Sequence, residues 1–139
     1  MPTADTQPAQ RTDQPGGEEQ RSILMDVSNA MVQLFKEQFG RGPTKARSHW
    51  AGSDVLVCIL RETFTPAEKN MVALGEHQRL RETRLFFQAA TEDRFREVVA
   101  AIVGRRVESF MSAVDTHTDT AMEIFVFEAD AARDESQQR

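Results

Sequence analysis

From Ser22 onward apolar residues fall at helical spacing, with Ile23, Val27, Ala30, Met31, Leu34 and Phe35 recurring at intervals of three and four. The pattern predicts an amphipathic helix that ends at Gly40, where a left-handed residue suits a helix C-terminus. Gly42-Pro43 then breaks the chain. Over Thr44 to Trp50 the period changes to two, Lys45, Arg47 and His49 alternating with Ala46, Ser48 and Trp50, which predicts a strand. Ala51 to Asp54 supplies a turn. Val55 to Leu60 is apolar at every position and reads as a strand whose two faces both need cover.

Thr65-Pro66-Ala67-Glu68 combines an N-cap hydroxyl, a proline at the first helical position and a carboxylate that reaches back to the cap. Helical composition then runs to Val103, with Gly104 as its stop. Gly75 divides this stretch into a short helix from Pro66 to about Leu74 and a long one from about Glu76, with a further interruption near Thr91 to Asp93 left open. Val107 to Val114 and Ala121 to Glu128 read as strands around a polar turn, Asp115 to Thr120. The second half therefore repeats the order of the first: helix, Gly-Arg, strand, turn, strand. The expected fold is α+β, a duplicated helix-strand-strand unit forming a four-stranded, mostly antiparallel sheet packed with helices.

The last strand raises a question of cover. Ile124 and Val126 face one way, Phe125 and Phe127 the other. If helices cover only one sheet face, the other is an apolar patch that marks an association surface, with Phe125 and Phe127 the expected interface residues of a homodimer or partner contact. The alternative places helices on both faces.

Composition limits the function classes. Residues 1–21 hold Pro2, Pro8, Pro15 and Gly16-Gly17 without apolar periodicity and are expected to be a disordered tail; 22–128 is expected to form a single domain and 129–139 a polar tail. The lone Cys58 excludes an internal disulfide or a multi-cysteine metal site and fits a cytoplasmic setting. The longest apolar runs are six residues, far short of the roughly 20 that cross a bilayer, so no direct membrane insertion is expected. Between the tails 13 Lys plus Arg stand against 15 Asp plus Glu, too balanced for a sequence-independent nucleic-acid partner.

Two segments carry candidate chemistry. Arg41, Gly42, Thr44, Lys45 and Arg47 sit in one loop of glycine, hydroxyl and cations suited to an anion. The loop leaves a helix for a strand, unlike a phosphate loop, and a structural loop with solvated cations is the competing reading. Asp115, His117 and Asp119 place carboxylates and an imidazole in one turn, although such residues also build turns for purely structural reasons. His77 and the mixed charges Arg79, Arg81, Glu82 and Arg84 read as helix surface, and Cys58 as a buried, inert thiol. No catalytic residue, metal or cofactor is expected.

The block Phe39-Gly40-Arg41-Gly42-Pro43-Thr44-Lys45-Ala46-Arg47, with Thr65-Pro66-Ala67-Glu68-Lys69 and Gly104-Arg105-Arg106-Val107, resembles the MpsC-like family over roughly Ser22 to Glu128. The family is named for a Na+-translocating, membrane-potential-generating system. The turn with Asp115 and Asp119 also looks like the family. The resemblance implies a soluble component associated with cation translocation or its regulation, acting beside a separate membrane transport subunit, and it favours a role for Gly40 to Arg47. The expected function is a cytoplasmic, non-enzymatic accessory or regulatory module, with a sensor of a small anion or nucleotide as the alternative.

Overall fold

The computed structural model describes residues 15–129. Helix α1 spans Pro15–Phe39, so residues 15–21 are helical and not the disordered tail expected; residues 1–14 and 130–139 of the two expected tails lie outside the described residues. This first stretch lacks apolar periodicity because its side chains from Gly17 to Ser22 are all exposed. Glu18, Glu19, Gln20 and Arg21 favour the helix nonetheless, and Glu18 lies in the first turn, where the helix dipole favours an acid. Farther on, Val27, Met31, Leu34 and Phe35 form the buried stripe. Gly40, at φ 81°, caps the end.

Strands β1 (Lys45–Trp50) and β2 (Val55–Arg61) form the expected hairpin. Three helices follow: α2 (Pro66–Ala73), α3 (His77–Ala90) and α4 (Glu92–Val103). The start of α2 is a complete capping box, Glu68 N donating to Thr65 Oγ1 at 3.2 Å and Thr65 N donating to Glu68 Oε1 at 2.9 Å. The long helical stretch is divided twice, at Gly75 and at Thr91, whose hydroxyl donates to the Phe87 carbonyl at 2.9 Å. Strands β3 (Val107–Asp115) and β4 (Thr120–Phe127) are the last elements among the described residues.

The sheet order is β1-β2-β4-β3, with every neighbouring pair antiparallel. The succession helix, left-handed glycine, strand, strand occurs twice, as α1-Gly40-β1-β2 and α4-Gly104-β3-β4, and β2 and β4 meet at the centre.

The fully buried sheet residues lie on one face. Leu56, Cys58 and Leu60 of β2 and Ala121, Phe125 and Phe127 of β4 pack there with the stripe of α1 and with Phe95 and Val99 of α4. Phe125 lies 4.9 Å from Phe110, and Phe95 contacts Phe35 edge-on at 6.0 Å, so aromatic rings fill the layer between sheet and helices. Phe125 and Phe127 are 0% and 1% exposed, which overturns their expected place at an interface. The bulky rings belong in the thick layer under the helices, and the phase of the strand then sends Ile124 and Val126 to the other side.

That other side is the open face. Its residues align across the sheet in rows set by the register. Lys45, Arg61, Thr120 and Asp115 make the first row; Arg47, Ile59, Met122 and Ala113 the second. His49, Val57, Ile124 and Met111 make the third, and Val55, Val126 and Ser109 the fourth. The helices pack on the core side, and the middle of the open face is a half-buried band of valine, isoleucine and methionine.

Candidate functional site

The loops that carry the candidate residues gather at one end of the sheet. After Gly40 the chain runs close against α1: a Cβ on Gly42 would stand 2.8 Å from the Val32 carbonyl oxygen and 3.0 Å from Val32 Cγ1. Glycine is what permits that approach. Arg41 Nη1 donates to the Phe64 carbonyl at 2.8 Å, and the Thr44 hydroxyl donates to the Glu62 carboxylate. Of the five residues expected to bind an anion, Arg41 and Gly42 thus face inward contacts, and Thr44, on the surface, is engaged by Glu62. Lys45 and Arg47 are exposed on the open face, where with Ile59 and Arg61 they line a hollow of about 200 Å³.

A carboxylate already answers these cations. The hydrogen bond from Thr44, with the charges of Lys45, Arg41 and Lys69, holds the Glu62 carboxyl below its usual range. The loop therefore carries its own resident anion.

The Asp115 to Thr120 turn divides its carboxylates between two tasks. Asp115 accepts from the backbone N–H groups of His117 and Thr118 at 2.9 and 3.2 Å, shaping the turn. Those two bonds lower its pKa. Asp119, in the left-handed region at φ 52°, reaches across to the β2-α2 connection. It accepts from Thr63 N at 2.9 Å, Thr63 Oγ1 at 3.0 Å and Phe64 N at 3.1 Å. His117 stacks on His77 with ring centroids 3.9 Å apart, and His77 Nδ1 lies 2.7 Å from Thr116 Oγ1. The structure thus brings Asp119 and the 40–44 loop to the same Thr63-Phe64 segment, while His117 docks on α3.

Beneath that segment lies a group the sequence hides. Arg84, taken above as helix surface, is 3% exposed. Its Nε and Nη2 donate to the two Glu68 oxygens at 2.6 Å each, Nη2 also donates to the Thr63 carbonyl at 2.9 Å, and the guanidinium lies 3.7 Å from the centroid of Phe39. Burial pushes the Glu68 carboxyl up, but the bonds from Arg84 and Thr65 outweigh it and leave the group below its ordinary value. The only clue in the sequence was the phase of α3, which places Leu80, Arg84 and Gln88 on one line at intervals of four.

One turn along that line, Gln88 Nε2 donates to Glu123 Oε1 at 2.5 Å, and the Ser112 hydroxyl donates to the same oxygen at 2.9 Å. Arg84, Gln88, Ser112 and Glu123 border a void of about 10 Å³, about the room of one water. Burial pushes the Glu123 carboxyl up to about 8, only partly opposed by the bonds from Ser112 and Gln88 and by the charge of Arg84. On β2, Cys58 is buried and its thiol pushed up to about 12 by desolvation, which leaves it unreactive.

The Gly-Arg pairs singled out in the sequence serve the frame. Arg105 Nη1 donates to the Ser53 carbonyl at 2.9 Å and Nη2 to the Glu128 carbonyl at 2.8 Å, while Asp54 Oδ1 accepts from Nη2 at 2.6 Å. Arg41 and Arg105, each following a left-handed glycine, thus pin the two opposite ends of β2.

These features define an α+β protein whose helices close one face of an antiparallel sheet and whose motif residues lock the loops around β2. No helix among the described residues is long and apolar enough to cross a membrane. The chain belongs to the MpsC family: the family model described as Na+-translocating membrane potential-generating system (MpsC) matches residues 19–129, most of its length. No curated protein and no solved structure matches it.

Proposed function

We propose that the chain is a cytoplasmic, non-enzymatic accessory or regulatory module of the Na+-translocating, membrane-potential-generating system for which its family is named, acting through protein contact at the open sheet face. One observation carries this reading: Val57, Ile59, Met122 and Ile124 form a continuous apolar band on the face away from the helices. An apolar band of that kind, left uncovered by the helices, supports reading the face as an association surface. The polar groups nearby support a binding role over catalysis, because Asp115 and Asp119 are engaged in holding backbone. The partner class is a membrane transport subunit of the same system.

Affinity purification from gently solubilised native cells tests this reading, comparing wild type with Ile124→Asp. An integral membrane transport protein retained by the wild type and lost with the variant is the expected result. Retention of no membrane protein overturns it.

A second reading rests on Lys45, Arg47 and Arg61 around their shared hollow, which suits a small anion or nucleotide whose level the module reports. Calorimetric titration with phosphate-bearing ligands decides it: heat that vanishes in Arg47→Ala supports a sensor, and no heat with the wild type removes it.

A further inference from the structure

We propose that the open sheet face pairs with the same face of a second copy of the chain, about a two-fold axis that runs parallel to the strands between β2 and β4. The inference rests on the reading of this face as the association surface: in the free chain a second copy occupies it, and docking on the transport subunit exchanges that copy for the subunit.

The argument is one of register. A two-fold axis along the strands exchanges β1 with β3 and β2 with β4 while leaving each row at its own height. In the first row it sets Lys45 opposite Asp115 of the second copy. In the second it sets Ile59 opposite Met122, and in the third Val57 opposite Ile124, so that apolar meets apolar through the centre. Val55 meets Val126 in the fourth. Every contact occurs twice, as an isologous interface requires.

The charges select this axis over the other one available. A two-fold axis in the plane of the face but across the strands lays β1 on β1 with its rows reversed. That brings Arg47 of each copy beside the β1 cations of the other, and like charges brought together are unfavourable. With the axis along the strands, the cationic β1 edge meets the β3 edge, which carries Asp115 on this face. Aligned sheets pack about 10 Å apart with strands within about 30° of one another, close enough for a lysine to reach a facing carboxylate.

Composition favours a second copy over a terminal segment as the cover. Residues 1–14 and 130–139 contain a single large aliphatic side chain, Met1, among polar residues and prolines. Four strands at about 4.8 Å spacing give a footprint on the order of 20 Å on a side. This is at the small end for specific interfaces, so the pair is expected to assemble in the micromolar range and to depend on concentration.

Sedimentation of the purified full chain from low micromolar to several hundred micromolar is the test, with two variants and one crosslinking pair. The wild type is expected to reach twice the monomer mass, Lys45→Asp to weaken the pair by about tenfold through reversal of one exposed charge contact that occurs twice, and Ile124→Asp to abolish it. Lys45 is exposed, so its variant tests the proposal even if Ile124→Asp fails to fold. Arg47→Cys combined with Ala113→Cys is expected to give a bismaleimide-linked species of doubled mass, and Arg47→Cys alone to give none, because the two Arg47 positions lie on opposite edges of the pair. A wild type that stays monomeric throughout, a dimer indifferent to Ile124→Asp, or crosslinking by Arg47→Cys alone overturns the proposal. Should the chain be monomeric while Ile124→Asp still releases a transport subunit, the pairing falls and the docking function stands.

Discussion

Arg84 and Glu68 form a two-pronged ion pair, Nε and Nη2 of the arginine each 2.6 Å from one oxygen of the glutamate, beneath the connection that leads from β2 into α2. The same carboxylate caps α2 through Thr65 N, so one side chain joins a helix start to the buried face of α3. Arg84→Ala is expected to destabilise the domain by about 3–5 kcal/mol, because it strands a half-buried carboxylate. Urea denaturation measures it. Arg84→Lys is expected to recover only part of the loss, since an ammonium cannot span both oxygens.

Glu123 gives the opposite kind of dependence on acidity. Its folded-state pKa of about 8 exceeds the ordinary 4.5, so the native state holds a proton that the unfolded chain releases between those values. Its contribution is full below about pH 4.5 and is lost as pH rises through about 8. Chemical denaturation of the wild type across that window is expected to show stability falling by a few kcal/mol as pH rises, on the order set by 1.36 kcal/mol per pKa unit. Glu123→Gln, which keeps the shape and has no proton to lose, is expected to flatten the slope.

Asp119 ties the β3-β4 turn to the connection after β2 through three donors. Asp119→Ala is expected to cost about 2–3 kcal/mol, and hydrogen exchange at the Thr63 and Phe64 amides is expected to speed up ahead of the rest of the domain. Asp119→Asn tolerates the left-handed backbone and keeps one acceptor, so its loss is expected to be smaller.

At Gly42 the loop meets α1 too closely for any side chain. Gly42→Ala is expected to cost about 1–3 kcal/mol, because the Val32 carbonyl is backbone and cannot yield cheaply. Thermal unfolding checks it, with Gly52→Ala as a comparison where nothing stands within 4 Å and only the positive φ is strained.

What could be read from the sequence follows from how local each signal is. The helix stops at Gly40 and Gly104, the capping box at Thr65 and the strand alternation of Lys45 to Trp50 depend on neighbours along the chain, and each is found where expected. The family match was legible from the Gly-Arg blocks for a related reason: Arg41 and Arg105 make contacts the fold depends on. Arg84 was not legible, because its composition is that of a solvated helix and only α2 and the Thr63 carbonyl make its burial tolerable. The Phe125 and Phe127 assignment failed similarly. Alternation shows that two faces differ but not which one receives the helices, and that choice is made by Phe35, Phe95 and Phe110 far away in sequence.

The sheet is guarded at both margins. On β1 the side chains of Lys45, Arg47 and His49 stand out into solvent, and on β3 the register slips between Val107 and Ser109, where Arg96 Nη1 reaches the Val107 and Glu108 carbonyls at 3.5 Å. Charge on one border and a bulge on the other discourage a further strand from adding to either. Growth by lateral extension, the route to fibres, is thereby disfavoured, and any association through this sheet is left to its flat open side, where an assembly terminates at a fixed number.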